Sequence, residues 1–83
     1  MLAERIRRVM EAVFGIDFAA ITDQATPGNI EKWDSLRHMN LVLALEDEFG
    51  VRFRDDQVER LASFRMIESS LRELLPDEGR PGS

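Results

Sequence analysis

Cysteine is absent from this 83-residue chain. The absence excludes a disulfide framework, a thiolate nucleophile and any zinc site built on sulfur ligands. The chain also lacks a run of the ~18 apolar residues needed to span a bilayer. The segment from Met1 to Arg8 is charged where a signal peptide would become apolar. We therefore expect a cytoplasmic protein with no membrane span.

Basic residues are fewer than acidic ones: the chain has 11 lysine and arginine residues and 16 aspartate and glutamate residues, which gives a net charge of -5. Such a surface repels phosphate backbones and anionic lipid, so nucleic acid is not an expected partner. It favours basic protein partners instead. A chain of this length makes one domain with a thin core, which leaves little room for a catalytic cleft.

Alternating strand patterns and internal repeats are absent too, whereas helical periodicity occurs in four segments. We predict a first helix ending near Gly15, a long helix from the Asp34 cap to Phe49 with Gly50 as its stop, a short helix from Asp55 to Leu61, and a last helix from the Ser63 cap to Leu75, before Pro76. The pattern predicts an all-α fold, a small four-helix bundle of three main helices and one short one. Residues 1–75 form the predicted domain, and 76–83 a flexible tail.

The apolar positions of these segments predict one shared core. In the first helix, Leu2, Ile6, Val9 and Val13 form a stripe at helical spacing. The residues that we expect to be buried are Ile6, Val9, Val13, Leu41, Leu45, Phe49, Val58, Leu61, Ile67 and Leu71. A long loop joins the first two helices, and Ile16, Ile21, Ile30 and Trp33 could attach it to the core. Because loops of such length are uncommon in compact domains, we interpret this one as functional.

The long helix has two apolar faces. At about 100° per residue, one stripe is made of Leu41, Val42, Leu45 and Phe49. A second stripe on the far side is made of Leu36, Met39 and Leu43, and Glu46 and Asp47 border it. A central helix of a bundle can bury both faces, or the second stripe can remain exposed as a patch for partners. Its position beside Ser35 favours the exposed patch.

Ser35 follows the predicted cap Asp34 and lies in the first turn of the long helix. Backbone N–H groups lack helical partners there, and the positive end of the helix dipole favours an anion. A lone Asp-Ser pair at a helix start is most often simple capping. The surrounding residues must therefore decide whether Ser35 is modified.

The stretch from Trp33 to Phe49 reads WDSLRHMNLVLALEDEF. It closely resembles the signature of the acyl carrier protein family, and the resemblance extends from Glu4 to about Leu75. It implies that Ser35 is esterified to 4'-phosphopantetheine, which a separate phosphopantetheinyl transferase takes from coenzyme A. The terminal thiol of that arm would carry acyl or aminoacyl groups as thioesters.

The resemblance also implies the partners. Acyl-loading and acyl-processing enzymes would dock on the helix after the serine, so that Leu36, Met39 and Leu43 match apolar contacts, and Glu46 and Asp47 match acidic ones. The expected protein is a monomeric carrier without catalysis of its own, in a fatty-acid, polyketide or related pathway. A peptidyl carrier and an unmodified helical interaction module of the same fold remain alternatives.

Some residues depart from the family pattern. Lys32 stands where many members have glycine, and Arg37, His38 and Asn40 replace residues that are often acidic in fatty-acid carriers. Trp33 is more similar to carriers of specialised polyketide or peptide pathways. These departures argue against the partners of a generic fatty-acid synthase.

An enzyme would need Ser35 as nucleophile and His38 as base, since residues three apart on a helix can meet. The chain has no Gly-x-Ser-x-Gly elbow and no separate oxyanion loop. We therefore predict no catalytic residues.

A calcium loop is the other chemical alternative, because Asp23, Gly28 and Asp34 match its first, sixth and twelfth positions. Ala25 and Pro27 occupy positions that need oxygen ligands. We therefore predict no metal site.

Overall fold

The computed structural model describes residues 2–75, and in this part of the chain every regular element is helical. The elements are α1 (Leu2–Phe14), a 3₁₀ turn (Phe18–Ala20), α2 (Ser35–Phe49), α3 (Asp55–Arg60) and α4 (Phe64–Leu74). The predicted all-α bundle of three main helices and one short helix is confirmed. The predicted tail, 76–83, lies outside the described residues.

The helix ends are defined by side-chain caps and by glycine. At the start of α2, Asp34 Oδ1 accepts a hydrogen bond of 2.8 Å from the backbone N–H of Arg37. At the start of α4, Ser63 Oγ accepts one of 3.1 Å from Met66. Gly50 ends α2 with φ 65°, a left-handed conformation that residues other than glycine rarely adopt. All three of these ends agree with the predictions.

The core lies between α1 and α2, with α4 packed against α1 and α3 against α4. Leu41 and Leu45 have no exposed surface, and Val42 and Phe49 are also buried, so the main predicted stripe of α2 is confirmed. Leu61, Ile67 and Leu71 contribute from the C-terminal half of the chain and are fully buried. Within residues 2–75, the opposite face of α2 remains exposed at Leu36, Met39 and Leu43.

The predicted stripe of α1 was partly wrong. Leu2 and Ile6 are buried as the stripe predicts, but Met10 and Phe14 are buried with them, whereas Val9 and Val13 are only partly buried. The apolar arc of α1 is wider than one stripe, and the larger side chains of Met10 and Phe14 take the interior side. Val9 and Val13 line a shallow groove of about 370 Å³ between α1 and α2.

Val58 in α3 was also predicted to be buried, and it is only partly so. Gln57 is buried in its place. The side chain of Gln57 turns back to the start of the helix, where its Oε1 accepts a hydrogen bond of 2.9 Å from the backbone N–H of Arg54. A capping role that depends on side-chain direction is not visible in apolar periodicity.

The long loop between α1 and α2 packs as part of the core. Ile21, Ile30 and Trp33 are buried, as is Ala25, while Ile16 is partly buried. The indole of Trp33 packs against the ring of Phe14, with 5.4 Å between ring centroids. This packing fixes the chain just before Ser35.

A backbone hydrogen bond of 2.9 Å from Phe64 N–H to the Ala25 carbonyl ties the loop to the start of α4. Arg65 and Asp23 add an exposed ion pair at 3.3 Å. The loop is therefore attached to two helices, α1 through Trp33 and Phe14, and α4 through Ala25 and Phe64.

Candidate functional site

Ser35 is the first residue of α2, and its side chain is exposed. Asp34 precedes it in extended conformation, with φ -101° and ψ -176°, and caps the helix. Helix geometry leaves the backbone N–H groups of Ser35 and Leu36 without intrahelical acceptors. The serine hydroxyl is thus accessible at the positive end of a fifteen-residue helix.

The Asp34 carboxylate is held in place by Arg37. Besides the backbone hydrogen bond, Arg37 Nη1 lies 2.8 Å from Asp34 Oδ2. The backbone hydrogen bond first, and then the charge and side-chain hydrogen bond of Arg37, hold the pKa of the Asp34 carboxyl below its usual value. Arg37 thereby offsets the negative charge beside Ser35.

An open groove of about 570 Å³ starts at Ser35. The residues that line it are Pro27, Trp33, Asp34, Ser35, His38, Met39 and Ala62. Most of this lining is apolar, and it comes from the long loop, the first turns of α2 and the connection between α3 and α4. A flexible group attached to Ser35 could lie along this groove.

The ring of His38 bridges two elements beside the groove. Trp33 Nε1 lies 3.0 Å from His38 Nδ1, and His38 Nε2 lies 3.1 Å from the carbonyl oxygen of Val58. Both imidazole nitrogens are engaged, so neither is left to take a proton from Ser35. Apolar periodicity does not predict this bridge, although the single tryptophan and the single histidine are only five positions apart.

The second apolar stripe of α2 is exposed. Leu36 is 72% exposed, Met39 48% and Leu43 59%. These three side chains form the apolar patch, which begins next to Ser35 and follows the helix for two turns. Their exposure shows that α2 does not bury both of its apolar faces.

The two predicted acidic residues differ in environment. Asp47 is exposed and lies at the rim of the groove between α1 and α2. Glu46 is partly buried, and its Oε2 accepts a hydrogen bond of 2.8 Å from the backbone N–H of Phe53. Glu46 therefore holds the connection between α2 and α3 in addition to any role at a partner surface.

Within residues 2–75, no group of three or more histidine, cysteine, aspartate or glutamate side chains is placed to bind a metal ion. In the same range, every helix is too short or too polar to cross a bilayer.

Comparison with known proteins connects this site to a family. No protein-family model matches the chain. Acyl carrier protein 2 of Pseudomonas aeruginosa is 36% identical to it over 72 residues, which cover 87% of this chain and 91% of the relative. This chain belongs to the acyl carrier protein family. The resemblance noted in the sequence is confirmed, and with it the helical bundle.

Proteins of the acyl carrier protein family are in general carriers and not enzymes. In this chain both nitrogens of His38 are occupied by Trp33 and Val58.

Proposed function

We propose that this acyl carrier protein carries 4'-phosphopantetheine on the hydroxyl of Ser35 and delivers acyl intermediates to partner enzymes. One observation supports the proposal above the others: an exposed serine follows a capping aspartate at the N-terminus of α2, in a chain of this family. The groove beside Ser35 has room for part of a flexible arm. In the described part of the chain, residues 2–75, Ser35 is exposed.

The residues present fit the arm in charge as well as in access. A phosphodiester on Ser35 would lie near the free N–H groups of the first turn, which favour an anion. Asp34 is the nearby negative charge, and its ion pair with Arg37 reduces its repulsion of a phosphate. The terminal thiol of the arm would hold acyl groups as thioesters.

Attachment requires a phosphopantetheinyl transferase and coenzyme A. The Ser35 oxygen forms a bond to the phosphorus of the pantetheine phosphate in coenzyme A. The bond from that phosphorus to the nucleotide breaks, and adenosine 3',5'-bisphosphate leaves. The hydroxyl proton passes to a base of the transferase or to solvent. Asp34 and Arg37 supply the fixed start of α2 on which the hydroxyl is presented.

The apolar patch is the proposed docking surface. Leu36, Met39 and Leu43 would bury apolar area against a partner, while Asp47 and the exposed part of Glu46 would pair with basic residues. The transferase and the enzymes that load and process the acyl group would use this surface in turn. Weak docking of a tethered cargo suits such exchange, because the arm raises the effective concentration of the thioester at each enzyme.

The proposed cargo is an acyl group of a fatty-acid, polyketide or related biosynthetic pathway. The protein would act as a monomer, since the docking surface serves other enzymes.

Intact-mass spectrometry tests the proposal. The purified chain is incubated with coenzyme A and a promiscuous phosphopantetheinyl transferase, and one phosphopantetheinyl group should be added. Ser35→Ala should abolish the mass increase and keep the helical circular dichroism spectrum. Ser69→Ala, at an exposed position of α4, is the matched control and should label like the unmodified sequence.

Labelling that survives Ser35→Ala would show another attachment site. Failure of the unaltered chain to label with several transferases would instead favour an unmodified interaction module. Loading with an aminoacyl group, and not with an acyl group, would indicate a peptidyl carrier.

A further inference from the structure

The bridge from Trp33 through His38 to Val58 connects the segment before Ser35 to α3. The indole N–H of Trp33 is buried with the rest of that side chain, and it lies 3.0 Å from His38 Nδ1. The two rings are nearly parallel, with 21° between their planes. On the other side, His38 Nε2 lies 3.1 Å from the Val58 carbonyl.

The chemistry of the two outer partners determines the state of the imidazole. An indole N–H can only donate a hydrogen bond, and a backbone carbonyl can only accept one. His38 Nδ1 must therefore be an acceptor and Nε2 a donor, so the ring is neutral with its proton on Nε2. Protonation would place a second hydrogen on Nδ1, facing the hydrogen of Trp33 Nε1, and the hydrogen bond between the two rings could not persist.

We propose that neutral His38 is a positioning residue that locks the Trp33 indole, just before Ser35, to α2 and α3. Protonation of the ring would open the hydrogen bond to Trp33, whereas the hydrogen bond from His38 Nε2–H to the Val58 carbonyl would remain. The lock lies directly beside the modification site, because Trp33, His38 and Ser35 all line the same groove.

The charged groups around the imidazole are few. In the groove, Asp34 is the ionisable neighbour, and its carboxylate is bound to Arg37. Lys32 precedes Trp33 and is exposed. The group of α3 that faces the ring is the Val58 carbonyl. The charged side chains of α3 are exposed, at Asp55, Asp56, Glu59 and Arg60. Within residues 2–75, the hydrogen bond from Trp33 is the contact of His38 that protonation removes directly.

Nuclear magnetic resonance can follow the lock directly, because the chain has one tryptophan and one histidine. In a tag-free sample, the indole N–H signal of Trp33 and the ring signals of His38 are recorded between about pH 5.5 and 8. We expect the Trp33 signal to shift with the same midpoint as the His38 ring. A Trp33 signal that stays constant while His38 titrates would overturn the proposal.

Two variants separate the lock from general packing. His38→Gln keeps one acceptor and one donor in a neutral side chain, so it should protect the Trp33 indole N–H from hydrogen exchange and remove the pH-dependent shift. His38→Phe keeps a ring of similar size without either hydrogen bond, so the indole N–H should exchange faster. Equal exchange rates in His38→Phe and in the unaltered chain would contradict the lock.

If Ser35 is the attachment site, as the proposed function states, the rate of phosphopantetheine attachment should depend on the state of His38. The rate of phosphopantetheine attachment is measured at the two ends of the pH range for the unaltered chain and for His38→Gln. For each chain, the rate at low pH is divided by its rate at high pH. The transferase affects both ratios equally, so a difference between the ratios reports the carrier chain. We expect the rate to fall further at low pH for the unaltered chain, and equal ratios would refute positioning of Ser35 by His38. If no chain is labelled, the proposed function fails, while the resonance and exchange measurements still decide whether the lock exists.

Discussion

Two leucines of α2, two residues apart, should differ greatly in how much stability the protein loses when each is replaced by alanine. Leu45 has no exposed surface, whereas Leu43 is 59% exposed. Replacement of each by alanine removes the same atoms from the same helix and changes helix propensity equally, by a few tenths of a kcal/mol at most. Any larger difference in stability between the two variants therefore reports burial.

The expected magnitudes are far apart. Leu45→Ala opens a cavity in the core, which costs about 2 to 5 kcal/mol. A domain of this length has a free energy of unfolding of about 4 to 12 kcal/mol, so the variant loses a large share of it. Leu43→Ala should change the free energy of unfolding by less than about 0.5 kcal/mol, since most of the Leu43 side chain already faces solvent.

Thermal and urea unfolding measure the difference. Trp33 is buried against Phe14 and reports loss of the core by fluorescence, while circular dichroism reports loss of the helices. For a domain of this size, we expect the melting temperature of Leu45→Ala to fall by more than about 10 °C. The melting temperature of Leu43→Ala should stay close to that of the unaltered chain.

Equal losses of stability in the two variants would refute the assignment of the two faces. It would mean that the apolar patch is packed in solution and cannot serve as a docking surface. If only Leu45→Ala is destabilised, a slower phosphopantetheine attachment in Leu43→Ala can be assigned to docking, because the fold is intact.

Two further predictions concern charged residues of the site. The lowered pKa of Asp34 means that its contribution to stability is present above the ordinary value of 3.8 and is lost as the pH falls through the lower pKa of the folded state. Asp34→Ala should therefore melt at a lower temperature than the unaltered chain at pH 7, with a gap that narrows below about pH 4, and Asp34→Ser should retain the cap. Glu46→Ala should lower the free energy of unfolding by about 1 to 3 kcal/mol in urea titrations, because the N–H of Phe53 loses its acceptor. Asp47→Ala should leave stability nearly unchanged and slow association with a basic partner in stopped-flow experiments, and the reverse order of effects would contradict these roles.

Local signals in the sequence predicted much of this protein. The cap at Asp34, the stop at Gly50 and the cap at Ser63 act through residues three or four positions away, so their chemistry can be read along the chain. The two faces of α2 follow from the helical repeat alone. The position of Ser35 at a helix N-terminus is a consequence of the same local rules.

The tertiary structure decided which apolar residues enter the core and which polar residues bridge elements. The apolar arc of α1 admits both the Val9 and the Met10 sides, and only packing against α2 and α4 selects Met10. The hydrogen bonds of Glu46 to Phe53 and of His38 to Val58 join residues that are 7 and 20 positions apart. Helical periodicity predicts the direction in which a side chain leaves its own helix. It does not predict which donor or acceptor of another segment that side chain will meet. The state of the histidine beside Ser35 therefore depends on how the loop and α3 pack against α2.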